Sequence, residues 1–306
     1  MSRYPRTVES SIERFREALM GERDLSQRSV KMYCESARSA FRIICDINEH
    51  ALPHNLTGED IQALLDVIRE DGYAVSTQKN YICALTRLTE YYGNYTIRDM
   101  RIKWQHDSRP KVDWLTLDQA RTLMDCPKSP NQELLVHCEL CLGMRRVEVA
   151  RLRMEHVQGN HIYVIGKGTM GGKLRSVPFH PRTGDVLKRY GAFRQQILAE
   201  ARRGRVQTAT LPNDMMVYRR KNAVLHYSEH RLTGLDKIIE KLSRELGFHF
   251  SHHTLRRTFG RTMYRSGIPV ATIAKILGHE STDTTLRYIG VDMDDMSEAM
   301  EKYMLR

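Results

Sequence analysis

No uninterrupted apolar run in this 306-residue chain approaches the roughly 20 residues that a membrane-spanning helix needs. No apolar signal segment follows the start, Met1-Ser2-Arg3-Tyr4-Pro5-Arg6. These two absences predict a cytoplasmic protein with no membrane partner. Internal repeats and low-complexity tracts are missing as well. Tryptophan occurs only twice, as Trp104 and Trp114. Without a secretion signal, the six cysteines are expected to be reduced thiols. Cys138 and Cys141 form one CxxC beside His137, but a zinc site needs about four ligands and no second half follows. The plainer reading is a helical stripe of Leu134, Leu135, Cys138, Cys141 and Leu142 facing a core. His249 and His252 are three apart, as a metal pair could be, yet cationic neighbours would repel a metal there. The expectation is no metal and no cofactor.

What is present suits a packed protein. Hydrophobic residues make up 41% of the chain, and its length exceeds what one core usually serves, so two domains are expected. Charge is divided unevenly. Residues 1–105 hold 15 basic and 15 acidic side chains, so the rest carries the whole formal excess of +11. A basic domain of this kind fits a polyanion, nucleic acid before a membrane surface.

The first hundred residues read as about four helices joined by short turns. Val30, Tyr33, Cys34, Ala37, Phe41 and Ile44 recur at helical spacing. Thr57 is placed to cap a helix carrying Ile61, Leu64, Leu65 and Ile68. A further helix begins near Ser76 or Thr77, bears Tyr81, Ala84, Leu85, Leu88 and Tyr92, and ends at Gly93. Residues 1–105 are thus expected to be a helical bundle, and 106–113 a linker broken by Pro110, with Trp104 and Trp114 packing at either end. Residues 114–306 form the second domain. It opens with the capping box Thr116-Leu117-Asp118-Gln119, followed by a helix over 131–142 and another carrying Arg145, Val147, Glu148, Ala150 and Leu152. His161 to Ile165 and Lys173 to Val177 read as two strands around a glycine-rich loop. Helices are then expected over 183–201, 231–246, 254–266, 269–277, 282–288 and 294–304. The fold class is mainly α with a small β-sheet, α+β.

Several residues scattered through the second domain share one chemical use. Displacement at a phosphodiester loads negative charge on the non-bridging oxygens, which metal ions or fixed cationic donors must meet. This sequence offers no carboxylate cluster for magnesium, but Arg145 and Arg256 supply planar forks that match phosphate oxygens. His253 lies three residues before Arg256, on one helical face. Lys167, flanked by Gly166 and Gly168, could protonate a leaving alkoxide. Tyr288, nine residues after His279, could be the nucleophile, with His279 and His253 managing its proton.

In that order the residues resemble the tyrosine site-specific recombinases, the family of phage integrases. The motifs are Gly143-Met144-Arg145-Arg146-Val147-Glu148, Gly166-Lys167-Gly168 followed by Val177-Pro178, His253-Thr254-Leu255-Arg256, Leu277-Gly278-His279, and Tyr288. The resemblance is close over 114–290 and looser before it. It implies an N-terminal core-DNA-binding bundle of SAM-like type and a catalytic domain that together clamp DNA. By the same resemblance Arg145 and Arg256 bind the scissile phosphate, and Lys167 is the general acid. His253 is base or proton relay, His279 bonds the phosphate, Tyr288 forms a 3′-phosphotyrosyl bond, and Glu148 supports the arginine or histidine. Arg101, Lys103, Arg109 and Lys111 become DNA-binding candidates. The partner is double-stranded DNA at a specific site. The enzyme is a homo-tetramer there, and a monomer or weak oligomer when free. Strands exchange through a Holliday junction without metal or ATP. A final helix with Met296, Ala299, Met300, Tyr303 and Met304 docks on a neighbour or within its own subunit. No extra arm-binding domain is evident before the bundle, so a Cre- or Xer-like layout is expected. Arg257 stands where the family often has histidine. Doubled letters at Arg145-Arg146, His252-His253 and Arg256-Arg257 allow a one-residue slip. Three other readings remain: a type IB topoisomerase-like nicking-closing enzyme, a non-catalytic DNA-binding relative, and, most weakly, a metal-dependent phosphoesterase.

Overall fold

The structure is a computed structural model that describes residues 4–22, 25–104, 113–166, 172–203, 213–220, 223–227, 232–290 and 300–301. The chain divides into two compact units, Met1–Pro110 and Lys111–Arg306. The expected linker lies outside the described residues apart from Asp113.

The first unit contains α1 (Val8–Gly21), α2 (Gln27–Ile47), α3 (Gly58–Glu70), α4 (Val75–Tyr91) and the single turn α5 (Thr96–Asp99). Thr7 and Ser26 accept backbone N–H bonds at the starts of α1 and α2. Thr57 and Asp60 close the capping box of α3. Cys34, Ala37, Phe41, Leu64, Leu85 and Leu88 fill the core, as the periodicity predicts, together with Ile12 and Phe15 of α1. The Tyr92 hydroxyl donates to the Ser11 carbonyl at 2.9 Å, tying the end of α4 to α1. Trp104 packs against this core, with the Lys79 ammonium 5.6 Å from its ring centre.

The second unit opens with α6 (Leu117–Asp125), whose Thr116–Gln119 capping box forms as expected, and α7 (Pro130–Val136). The helix expected to run to 142 changes at His137 to a π turn, His137–Cys141. Leu134, Leu135, Cys138 and Leu142 face the core and Cys141 is half-buried. Burial pushes both thiols up, Cys141 to about 11, so neither offers a thiolate at neutral pH. The next helix is shorter than expected. It is α8 (Arg146–Ala150), with Arg145 left extended before it and Leu152 beyond it. Glu148 fixes the start at Arg146, because its carboxylate accepts the Arg145 backbone N–H at 2.7 Å and takes a capping role.

Strands β1 (Val157–Gln158), β2 (His161–Ile165) and β3 (Leu174–Pro178) form an antiparallel sheet in the order β1-β2-β3. Ile162 pairs with Val177, both buried, so Arg175 on β3 shares the inward face of Val177. After α9 (Pro181–Arg203) comes a hairpin the periodicity did not predict, β4 (Val217–Arg220) and β5 (Ala223–His226). Helices α10 (Thr233–Leu246), α11 (His252–Arg265), α12 (Val270–Leu277) and α13 (Thr282–Ile289) follow close to the expected places. Gly247, Gly278 and Gly290 end three of them in the left-handed region. Leu134, Val149, Val164, Leu235 and Leu255 belong to the unit's main core. Ile273, Leu277 and Ile289 form a smaller cluster that also seats Tyr288. The expected helix at 294–304 lies outside the described residues except for helical 300–301, where the Met300 side chain is exposed. No helix among the described residues is long and apolar enough to cross a membrane.

Candidate active site

The end of α12 is where the motif residues meet. A helix C-terminus leaves carbonyls without intrahelical partners and carries partial negative charge. Three guanidiniums answer it. Arg175 Nε donates to the Ile276 carbonyl at 2.8 Å. Arg256 donates to the Leu277 carbonyl at 2.6 Å and to the Gly143 carbonyl at 2.5 Å. Arg145 makes longer contacts to Leu277 and Gly278 carbonyls, at 3.4 and 3.3 Å. Two glycines make this convergence possible. A Cβ on Gly143 would stand 2.5 Å from the Phe259 ring, and one on Gly278 would stand 3.1 Å from Arg175 Cδ. Both have positive φ.

Glu148 anchors the guanidiniums from below. Its side chain is 0% exposed. Arg175 grips it with two bonds of 2.8 Å, and Arg145 Nη1 adds a third of 2.8 Å. Burial alone would raise its carboxyl. Arg175 first, then the Arg256 charge and the Arg145 N–H, reverse that and hold it at about 2. Arg175 is the member the sequence reading missed. Its signal was the strand alternation, which places it two residues before the inward Val177.

His279 bridges the cluster and the tyrosine helix. Its Nε2 lies 3.1 Å from Arg256 Nη2, and its Nδ1 lies 2.9 Å from Thr285 Oγ1. Arginine only donates, so Nε2 accepts and Nδ1 carries the hydrogen. Burial, then the Arg256, Arg145 and Arg175 charges, lower its pKa to about 4, so the ring is neutral at pH 7. Tyr288 stands edge-on to this ring at 5.2 Å, and the Arg256 and Arg257 guanidiniums lie 5.8 and 5.4 Å from its ring centre. Its hydroxyl donates to the His253 carbonyl at 3.4 Å. Burial raises the phenol above its ordinary value, although both arginines pull the other way. Arg256 is 2% exposed, and burial together with Arg145 lowers its pKa to about 10, which leaves it cationic at neutral pH. His253 opens onto solvent. What desolvation it has, then Arg257 and Arg256, lower its ring below the ordinary histidine range.

The doubled letters separate in space. Arg146 turns to Asp236, while Arg145 joins the cluster. His252 turns inward to Glu139 at 2.7 Å. Lys167 lies outside the described residues, as do Arg109 and Lys111. The residue before it, Gly166, sits against the Glu148–Arg175 pair, where an added Cβ would meet Glu148 Oε1 at 3.7 Å. Arg101 and Lys103 are exposed in the first unit, and the Lys103 carbonyl accepts from Arg69. Trp114 lies under the Arg261 guanidinium, 4.6 Å from its ring centre.

Clustered guanidiniums over a helix end, with a neutral imidazole and a phenol beside them, define a class of site in which fixed cationic donors can receive an oxyanion. The sequence profile of the phage integrase family matches residues 113–295. The chain is 26% identical over 312 residues to the tyrosine recombinase XerC of Oceanobacillus iheyensis, covering 96% of both. It is 23% identical over 258 residues to the tyrosine recombinase XerA of Pyrococcus horikoshii, covering 81% of both. Its fold is similar to that of the XerH site-specific recombinase bound to palindromic difH substrate in a post-cleavage complex (TM-score 0.69, 19% identity, 97% of this chain and 84% of that one). A lambda integrase dimer bound to a COC' core site has a TM-score of 0.66 at 15% identity, over 95% of this chain and 78% of that one. The chain belongs to the phage integrase family. It is a tyrosine recombinase, an enzyme that cleaves and rejoins DNA.

Proposed function

We propose that the chain binds double-stranded DNA at a specific site and cuts it with Tyr288. The Tyr288 oxygen attacks the scissile phosphorus, the new Oη–P bond forms, and the P–O5′ bond breaks. Lys167 gives the 5′-oxygen its proton. The phenolic proton passes to His253, the relay beside it. Attack by a 5′-hydroxyl from the partner duplex reverses these steps and releases Tyr288. The phosphotyrosyl ester preserves the bond, so neither ATP nor a metal is needed. Arg145 and Arg256 bind the phosphate oxygens and meet the charge that builds on them.

The observation that carries this reading is the meeting of Tyr288, His279, Arg256 and Arg145 at one helix end. It also suggests how the site responds to DNA. Arg256 gives its hydrogens to carbonyls and to His279. An arriving phosphate competes for those hydrogens and frees Nε2. Its negative charge also raises the His279 pKa, so the ring gains a proton to donate. The closeness of Gly166 to Glu148 and Arg175 supports Lys167 as the acid.

The first unit serves as the core-binding domain, with Arg101, Lys103, Arg109 and Lys111 contacting backbone phosphates. Four protomers assemble on paired sites and exchange strands through a Holliday junction, and the enzyme works inside the cell. The test uses a suicide duplex, without metal or ATP, resolved on a denaturing gel. A covalent adduct is expected, and Tyr288→Phe removes it. An adduct that persists in Tyr288→Phe and disappears in Tyr264→Phe or Tyr303→Phe overturns the nucleophile. Two target duplexes should also yield a four-way junction, which a nicking-closing enzyme would not make.

A further inference from the structure

Beside the reacting groups runs a line of four ionisable side chains that this mechanism does not use. Glu139 sits in the π turn and is 0% exposed. Its two carboxylate oxygens stand 2.7 and 2.9 Å from His252 Nδ1. On the far side of the ring, Nε2 stands 3.1 Å from Asp236 Oδ1 on α10, a charge contact that lies off hydrogen-bond geometry. Asp236 in turn pairs closely with Arg146, the first residue of α8. Carboxylate, imidazole, carboxylate and guanidinium thus alternate along one path.

Stability alone does not account for this arrangement. Enclosing a carboxylate costs several kcal/mol of desolvation, and apolar replacement of a buried ion pair is often neutral or stabilising. Burial pushes the Glu139 carboxyl up, and His252, Arg146 and Arg256 only draw it part of the way back. Leu135, Cys138 and Leu142 around it show that this stretch otherwise builds core. A π turn within a helix often marks a functional place, and this one leads directly into Gly143 and Arg145.

Sequence position supplies the reason. His252 immediately precedes His253, and Arg146 immediately follows Arg145. His252 opens α11, so holding its ring holds the backbone from which His253 projects. That backbone includes the His253 carbonyl that receives the Tyr288 hydroxyl. Arg146 opens α8 directly after the extended Arg145, so fixing its side chain on Asp236 fixes the start of the helix next to Arg145. We propose that Glu139, His252, Asp236 and Arg146 form a positioning line that fixes the Arg145 segment against the His253 segment for strand cleavage. This rests on the phosphotyrosyl chemistry above. The four are positioning residues and do not touch the phosphate.

The double substitution Glu139→Leu/His252→Leu removes the buried pair together and orphans neither partner. Its melting temperature should stay near that of the parent chain. Single-turnover cleavage of the suicide duplex should fall about 10- to 100-fold, the scale expected for a small misplacement of reacting groups. DNA affinity should not change. In a His253→Ala background the same double substitution should cost clearly less than it does in the parent chain. Cleavage at the parent rate, or a loss that adds in full to that of His253→Ala, overturns the proposal. If the double variant does not fold, Asp236→Asn replaces it with the same expected non-additivity. A parent chain that gives no adduct would refute the chemistry and not the line. Histidine-ring NMR then decides. The His253 resonances should move in the variant while those of distant His54 stay, and unmoved His253 resonances overturn the line.

Discussion

The Tyr288 hydroxyl is held by a carbonyl, not by a base, and its phenol is raised by burial. Arg175 is the residue on which the cluster's geometry most depends, since it grips Glu148 with two bonds of 2.8 Å and reaches the end of α12 at 2.8 Å, closer than Arg145 does. Arg175→Met leaves a buried carboxylate short of its main partner. We expect a loss of about 3–5 kcal/mol in urea unfolding, the usual cost of breaking a buried pair from one side. Two groups also predict acid sensitivity. His279 is lowered to about 4 when folded, against an ordinary value of about 6.5. Its contribution is present above about pH 6.5 and is lost as pH falls toward 4, because the unfolded chain takes up the proton first. Glu148, held at about 2, contributes above its ordinary 4.5 and loses that contribution as pH falls from there toward 2. Melting temperature should fall progressively below pH 6.5, and His279→Asn should flatten the upper part of that fall. Lys167→Ala should bind DNA normally and cleave slowly, and a 5′-bridging sulfur, which leaves without a proton, should restore the rate. Absence of that rescue removes Lys167 as the acid.

At the scale of elements, short helices and tight turns do the placing. The Gly278 turn ends α12 and brings its last carbonyls to the guanidiniums in the same few residues. Gly278→Ala combines a left-handed backbone with a Cβ pressed on Arg175, and about 2 kcal/mol of destabilisation should follow in thermal or urea unfolding. Capping residues and periodicity made most elements readable, as with Thr57, Thr116 and the stripes of α2 and α4. Three features escaped for physical reasons. The π turn at His137–Cys141 keeps an apolar stripe that a regular helix would also show. Helix α8 starts after Arg145 because a side chain competes for its N–H. Strands β4 and β5 are four residues each, too short for a period of two to stand out.

At the scale of the molecule, the two units differ in charge as well as in structure, since all the described strands lie in the second. The neutral segment 1–105 coincides closely with the first unit, and the excess of +11 lies in the remainder. Phosphate neutralisation should therefore be strong. Logarithmic affinity for DNA should fall linearly with logarithmic salt concentration, by about 0.9 for each phosphate engaged. Replacing Arg101 and Lys103 together with alanine should weaken affinity across all sequences and lower that slope by about 2. A slope unchanged by the pair would show that these exposed side chains do not meet the backbone.

Residue order alone determined the class of this protein, since Arg145, Lys167, His253-x-x-Arg256, His279 and Tyr288 stand in a recognisable succession whatever the packing. It also determined the helical bundle and the basic second domain, because periodicity, caps and charge are local properties. Which of two adjacent like residues joins the cluster was decided by the tertiary structure. Arg145 and Arg146 are chemically the same, and only the placement of Glu148 and Asp236 sends them to different partners. The roles of Arg175 and Glu139 were likewise set by packing, because a charged residue in a strand or helix shows its burial only once a distant segment, β3 against α12 or α11 against the π turn, has closed over it.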